Sequence, residues 1–178
     1  VEVRFEPVAP GVYAFVGELG PRSPANEGLN ANIGLVVTPA GAMLIDSGAT
    51  LNSARQIHEA VRRVTSQPVR WVVNTGGQDH RWLGNGYFRA QGAEIIAHEA
   101  ARADMQNRGG DQVDSLRAAL GPLADGTVPT LAMRWLAKPK SHCLRRARIL
   151  AATPTRWMSR CRPRKGWSPT AWIPAFWC

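Results

Sequence analysis

Three consecutive side chains in the segment NTGGQDHRWLGN, residues 74–85, are able to do chemistry: Asp79, His80 and Arg81. An imidazole gains and loses protons near neutral pH, and a neighbouring carboxylate can orient it. Asp79 and His80 are therefore the predicted catalytic residues, and the Arg81 guanidinium is a predicted clamp for an anionic group. The alternative is a structural turn with exposed polar residues, and the sequence leaves both interpretations open.

The same segment offers donors for a metal ion, but few of them. Asp79 and His80 are good zinc ligands, Gln78 is a weak neutral oxygen donor, and arginine does not coordinate zinc. A catalytic zinc ion needs about three protein ligands and one open position. The other imidazoles are weaker candidates: His58, His98 and His142. A metal site of Asp79, His80 and Gln78 is therefore predicted to hold less than one zinc ion per chain.

Periodicity predicts the elements that must position this segment. Runs of apolar and β-branched residues predict strands in residues 11–17, 32–48 (two strands), 68–76 and 93–98. Helical spacing predicts helices in residues 52–65, 81–92, 99–107 and 111–121, with Gly109 and Gly110 separating the last two. Asn52 or Ser53 is the predicted N-cap of the first helix. The element order predicts a layered α/β domain, with a doubly wound sheet as the alternative.

Charge divides the chain into two parts. Residues 1–125 contain 11 Lys and Arg and all 13 Asp and Glu. Residues 126–178 contain the other 11 Lys and Arg, no acid, all three Cys and five of the seven Trp. We therefore expect one domain in residues 1–125 and a basic tail in residues 126–178 that is not a folded domain.

Several interpretations of this basic tail stay open. A basic arm with interleaved aromatic side chains associates with nucleic acid through phosphate contacts and stacking. A solvated segment without fixed structure is a second interpretation, although five Trp are unusual for one. A GC-rich gene translated in a shifted reading frame also yields Arg, Pro, Ala, Trp and Cys, and the composition favours this origin over a small folded module.

The composition also bears on membranes and targeting. No run approaches the roughly 18 apolar residues that span a bilayer. No basic-then-apolar signal peptide opens the given residues. The sequence therefore predicts no membrane span, and it favours no particular compartment or oligomeric state.

Several motifs, taken in order, resemble the metallo-β-lactamase superfamily. They are GVYAFVG, NIGLVVT, LIDSG, the loop NTGGQDHRWLGN that begins 28 residues after Asp46, and GAEIIAHEAA. The resemblance covers roughly residues 8–120. It implies an α+β fold, with residues 1–125 supplying the N-terminal part of an incomplete αββα sandwich. It also implies zinc as the cofactor, because zinc lowers the pKa of bound water and supplies hydroxide.

The superfamily loop reads N-T-H-x-H-x-D-H-x-x-G-N, and this chain keeps mainly its two ends. Asn74 opens the loop and Asn85 closes it, which implies that both support its structure. With these ends aligned, Gly76 and Gln78 stand at the first two histidine positions. A second set of positions also departs from the pattern: His80 stands at the aspartate and Arg81 at the last histidine.

A shift of one residue instead places Asp79 and His80 on the Asp-His pair of the superfamily, and it still leaves the first two histidines absent. The resemblance further implies that Asp46, in LIDSG, supports the loop by hydrogen bonding and does not bind metal. The downstream ligands of the superfamily have no counterpart after residue 126.

Two functions follow from these observations. In the first, the chain is a hydrolase in which water attacks the carbonyl of a small ester, thioester or lactam, with Asp79 and His80 at the site. In the second, it is a truncated or non-catalytic relative without zinc, whose basic tail binds polyanions without sequence specificity.

Overall fold

The computed structural model describes residues 2–137, and these residues form a single seven-stranded sheet in the order β1 to β7. Its strands are β1 Glu6–Ala9, β2 Val12–Phe15, β3 Ile33–Thr38, β4 Gly41–Ile45, β5 Val69–Asn74, β6 Glu94–His98 and β7 Arg134–Leu136. The first four strands pair antiparallel, and β4 to β7 pair parallel. This mixed sheet confirms the α+β class and differs from the doubly wound alternative.

Helices connect the parallel strands, as parallel pairing requires. They are α1 Leu51–Val64, α2 Asp79–Trp82, α3 Asn85–Ala90 and α4 Arg102–Leu120, with short 3-10 turns at Glu99–Ala101 and Gly121–Ala124. Because β4, β5 and β6 run in the same direction, their carboxyl ends meet at one edge of the sheet. The segments that follow Ile45, Asn74 and His98 therefore lie at this shared edge.

The core follows from the alternation of side chains along the strands. Leu35, Leu44, Val72 and Ile95 are fully buried and belong to one hydrophobic cluster with the apolar side chains of the helices. Intervening strand residues are half-buried; these include Val36, Met43, Trp71, Val73 and Ile96. Since alternate residues of a strand face opposite sides of a sheet, one sheet face carries the main core.

Helix α1 begins earlier than the sequence predicts. Its N-cap is Thr50, so the prediction of Asn52 or Ser53 was wrong. Thr50 Oγ1 accepts from the Ser53 backbone N–H at 2.9 Å, and Ser53 Oγ accepts from the Thr50 N–H at 2.9 Å. This reciprocal capping box satisfies two N–H groups that a helix end leaves free. Asn52 instead donates from its side chain to Glu27.

Helix α4 is continuous for 19 residues, so the predicted break at Gly109 and Gly110 was wrong. A Cβ added at Gly109 would lie 3.0 Å from Trp82 Cη2 and 3.1 Å from Pro129 Cβ. Gly109 thus permits close approach of α4 to Trp82. Burial of Met105 and Leu116 on the same helix offsets the roughly 1 kcal/mol helix cost of each glycine.

Strand β7 lies beyond residue 125, within the first residues of the segment predicted as a tail. Met133 N–H donates to Ile95 O at 2.9 Å, and β7 then pairs with β6. The Trp135 ring lies 5.7 Å from the Arg102 guanidinium carbon, a cation–π contact. His142 and the rest of the basic tail lie outside the described residues. No helix within residues 2–137 is long and apolar enough to cross a membrane.

Candidate functional site

Asp46 anchors the loop that follows β5. Its backbone takes the left-handed conformation, with φ of +65°, which is uncommon for a residue other than glycine. Its Oδ1 accepts from the Thr75 N–H and its Oδ2 from Thr75 Oγ1, both at 2.7 Å. Burial raises the pKa of Asp46, and the bonds from Thr75 and the charges of Arg81 and His80 offset part of that rise. Asp46 thus connects the end of β4 to the first residue after β5.

Asn74 and Asn85 join the two ends of the loop through their side-chain amides. Asn85 Nδ2 donates to Asn74 Oδ1 at 2.9 Å, and Asn74 Nδ2 donates to Asn85 Oδ1 at 3.1 Å. Asn85 also accepts from Ser47 Oγ at 3.0 Å and donates to Thr130 O at 3.1 Å. Both amides are buried, so this network fixes the distance between the loop ends.

Asp79 and His80 are in contact with each other. Asp79 Oδ1 accepts from the His80 backbone N–H at 2.7 Å and lies 3.1 Å from His80 Nδ1. Within residues 2–137, no side chain or backbone group is hydrogen-bonded to the imidazole Nε2, and 29% of the side chain is exposed. Nε2 is therefore the imidazole nitrogen that has no hydrogen-bond partner among residues 2–137.

Arg22 completes this arrangement from a distant part of the sequence. Its Nη1 forms an ion pair with Asp79 Oδ2. Burial raises the pKa of Asp79, but the hydrogen bonds from His80 and Arg22 and the charge of Arg22 outweigh burial and lower the pKa to about 2. The sequence carries no signal for the role of Arg22, because no motif links the segment before β3 to the loop after β5.

Arg81 faces the Asp46 side of the loop. Its Nη1 donates to Thr75 Oγ1 at 2.7 Å, so Arg81, Thr75 and Asp46 form a chain of hydrogen bonds. Its backbone carbonyl accepts from Asn74 Nδ2 at 2.7 Å and from the Ser47 N–H at 3.0 Å. The Arg81 guanidinium, which the sequence predicts to bind an anion, therefore lies beside Thr75 and has its Nη1 already hydrogen-bonded.

Gln78 and the glycines complete the loop. Gln78 is exposed, and its side chain makes no hydrogen bond to another described residue. The Gly77 carbonyl accepts from Trp82 Nε1 at 3.0 Å and from Gln112 Nε2 at 2.9 Å. A Cβ at Gly77 would lie 2.5 Å from Asp104 Cβ, so the loop backbone presses against α4.

The two other described imidazoles are engaged elsewhere. His98 Nδ1 accepts from the Ala100 N–H at 3.0 Å and caps the turn after β6. His58 Nδ1 lies 2.9 Å from Tyr87 Oη, between α1 and α3. Neither joins Asp79 and His80 in a cluster within residues 2–137.

A model of the metallo-beta-lactamase superfamily matches residues 26–154, which is most of the chain. The chain belongs to this superfamily. The match starts in the segment after Arg22 and includes Asp46, the whole loop and α4.

Solved metallo-beta-lactamases share the fold. FIM-1 from Pseudomonas aeruginosa, in its mono-zinc form, is 22% identical with a TM-score of 0.54, over 80% of this chain and 54% of that chain. The enzyme from Erythrobacter litoralis is 21% identical with a TM-score of 0.54, over 79% and 52%. A HARLDQ-motif mutant from Cronobacter sakazakii is 23% identical with a TM-score of 0.52, over 75% and 47%. The chain spans about half the length of these proteins.

The superfamily implies zinc, and the described residues do not fit a catalytic zinc ion. Within residues 2–137, no three His, Cys, Asp or Glu side chains form a group that could hold a metal ion. Asp79 has both carboxylate oxygens engaged, by His80 and by Arg22. Gly76 has no side-chain donor, and Arg81 adds a fixed positive charge. The donor set therefore falls short of the three ligands that such an ion needs.

Proposed function

We propose that this chain is a hydrolase-like member of the superfamily in which His80, rather than a zinc hydroxide, activates water. The substrate class is a small molecule with an ester, thioester or lactam carbonyl. The observation that carries the proposal is the contact between His80 Nδ1 and Asp79 Oδ1, which leaves Nε2 directed away from that carboxylate. This is the pairing through which a carboxylate orients a general base.

In this mechanism His80 carries its proton on Nδ1 and donates it to Asp79 Oδ1 in a hydrogen bond. Nε2 then accepts a proton from a water molecule as the water oxygen attacks the carbonyl carbon. Asp79 stabilises the resulting imidazolium, and its low pKa keeps it ionised at neutral pH. The imidazolium returns its proton to the leaving group, which balances the reaction.

Arg81 supplies the positive charge at this edge. Its guanidinium is held by Thr75, so it is oriented before substrate arrives. It attracts a substrate carboxylate or the oxyanion that forms during attack. A positioned general base contributes roughly 10² to 10⁴ in rate, far less than a complete enzyme site, so we expect slow turnover.

A non-catalytic relative is the second candidate, and a specific observation favours it. Arg22 neutralises the charge of Asp79 in an ion pair, and an ion pair of this kind can hold the loop in place without any catalytic role. In this candidate the only ligands are polyanions, bound by the 11 basic residues of residues 126–178. This binding is electrostatic and lacks sequence specificity.

The test compares hydrolysis by the wild-type chain and by His80→Ala. Substrates are p-nitrophenyl acetate and a chromogenic β-lactam, each with EDTA and with added zinc. We expect slow ester hydrolysis that EDTA leaves unchanged and that His80→Ala abolishes. His98→Asn, which can keep the cap at Ala100, and His58→Ala are matched controls for the general reactivity of imidazoles, and both should retain the rate.

The outcomes separate the candidates. Equal rates for the wild type and His80→Ala favour the non-catalytic relative. Turnover that rises with added zinc and is lost with EDTA contradicts the metal-independent mechanism.

A further inference from the structure

The Asp79 carboxylate is nearly buried, and its partner cation is the guanidinium of Arg22. Only 10% of its side chain is exposed, and 25% of the Arg22 side chain is exposed. A buried carboxylate needs a cation or several donors close by, because isolated charge is costly to remove from water. Here Arg22 meets one oxygen and His80 meets the other.

We infer that the Arg22 guanidinium takes the place of a metal ion as the cation of this loop, and that it excludes zinc from Asp79 and His80. Arg22 lies outside the loop and outside the residues matched by the superfamily model, and this role does not depend on whether His80 is catalytic.

The chain around Arg22 is built to hold it in position. Asn26 is buried, and its side-chain oxygen accepts from the Ser23 N–H at 2.9 Å and from the Gly28 N–H at 3.1 Å. Its side-chain nitrogen donates to Pro21 O at 3.1 Å. Asn26 therefore fixes the residues on both sides of Arg22.

The ends of the same segment are also tied down. Gly17 N–H donates to Asn32 Oδ1 at 3.2 Å, and Asn30 Nδ2 donates to Gly20 O at 3.1 Å. Two hydrogen bonds thus close the segment on itself before β3 begins. These bonds hold the backbone from which the Arg22 side chain reaches Asp79.

Exclusion of zinc follows from the geometry at the carboxylate. Zinc that approaches Asp79 Oδ2 meets the Arg22 nitrogen on the same oxygen. Zinc that approaches Oδ1 meets two donors of His80, and His80 Nδ1 is turned toward the carboxylate. Two positive charges near one carboxylate also repel each other in a poorly solvated site.

The test restores the missing imidazoles with and without the guanidinium. The starting variant is Gly76→His with Gln78→His in the full chain. Space exists for the first change, because a Cβ at Gly76 meets mainly the Gln78 side chain, at 2.9 Å, and that side chain is replaced as well. Arg22→Met is then added to this double variant. Zinc affinity is measured for both proteins by competition with a chromophoric chelator, and zinc content by elemental analysis.

We expect the variant with Arg22→Met to bind one zinc ion at least tenfold more tightly than the double variant that keeps Arg22. Arg22→Lys in the same background keeps the charge, and this protein should bind zinc as weakly as the one with Arg22. Arg22→Gln keeps a donor for Asp79 Oδ2 without the charge. If the protein with Arg22→Met does not fold, the protein with Arg22→Gln should show the same gain in zinc affinity. Arg108→Met removes an exposed charge paired with Asp104 and should leave zinc affinity unchanged.

We would abandon the inference if zinc affinity did not depend on residue 22. In that case the double variant would bind zinc equally well with Arg22, with Arg22→Lys and with Arg22→Met or Arg22→Gln. Equally, a tightly bound zinc ion in the double variant that keeps Arg22 overturns it. Hydrolysis is not a readout in this experiment, so failure of His80 as a general base leaves the result intact.

Discussion

Replacing Asp79 by Asn removes the charge that pairs with Arg22 while it keeps the shape of the side chain. The carboxylate is buried, accepts from the backbone and the ring of His80, and forms an ion pair with Arg22. Asn keeps one acceptor oxygen but presents an amide to one of these partners. Asp79→Asn should therefore destabilise the fold, and the loss should depend on pH.

The size of the loss follows from the pKa of Asp79, which folding lowers from 3.8 to about 2. Since the folded value lies below the unfolded one, the carboxylate stabilises the fold above pH 3.8, and this stabilisation disappears as the pH falls through the folded value. Linkage gives a free-energy difference of about 2 kcal/mol at pH 7 and about 1 kcal/mol at pH 3.

The assay is urea unfolding of the wild type and Asp79→Asn at pH 7, 5 and 3. The difference in unfolding free energy should be about 2 kcal/mol at pH 7 and 5, and should shrink at pH 3. Asp114→Asn is the matched control, because Asp114 is exposed and pairs only with the exposed Arg117 among the described residues. It should change stability by less than about 0.5 kcal/mol. A difference for Asp79→Asn that stays constant from pH 7 to pH 3 would show that the charge of Asp79 does not stabilise the fold.

Three further variants test the loop and the tail. Gly84→Ala would place a Cβ 2.1 Å from Ser47 O, so it should lower the unfolding free energy by at least about 3 kcal/mol or prevent folding. Gly110→Ala is the matched control, because its Cβ meets no atom within 4 Å, and it should raise the unfolding free energy by up to about 1 kcal/mol. Thermal unfolding measures both variants. Asn85→Ala removes four side-chain hydrogen bonds, which join Asn85 to Ser47, Asn74 and Thr130, and should lower the unfolding free energy by about 2 to 4 kcal/mol in urea. A loss below about 1 kcal/mol contradicts the role of these amide hydrogen bonds in holding the loop ends together. Deletion of residues 138–178 should abolish salt-sensitive binding to a random DNA duplex, measured by fluorescence anisotropy. Binding that survives the deletion would show that other residues bind the DNA.

Much of the fold could be predicted from local patterns. Apolar runs and the helical spacing of Ile57 and Val61 predict the strands from β2 to β6 and helix α1, since these elements bury one face each. The outline of the loop predicts that Asn74 and Asn85 stand at its ends, and the structure joins them by two amide hydrogen bonds.

Other features could not be predicted because they depend on contacts distant in sequence or on the choice between neighbouring caps. The continuity of α4 through Gly109 depends on the Trp82 ring against it. The start of α1 depends on a reciprocal bond between Thr50 and Ser53, which local propensity does not distinguish from a cap at Ser53. Arg22 reaches Asp79 across more than fifty residues, and neither residue carries a signal for the other.

Zinc content of the purified wild-type chain tests whether hydrogen bonds and the Arg22 cation maintain the superfamily loop in this chain without a metal ion. The measurement is elemental analysis after loading with zinc and exhaustive dialysis against metal-free buffer, with protein concentration determined on the same sample. We predict well below one zinc ion per chain. One tightly held zinc ion per chain after dialysis would show that Arg22 does not replace the metal ion of this loop.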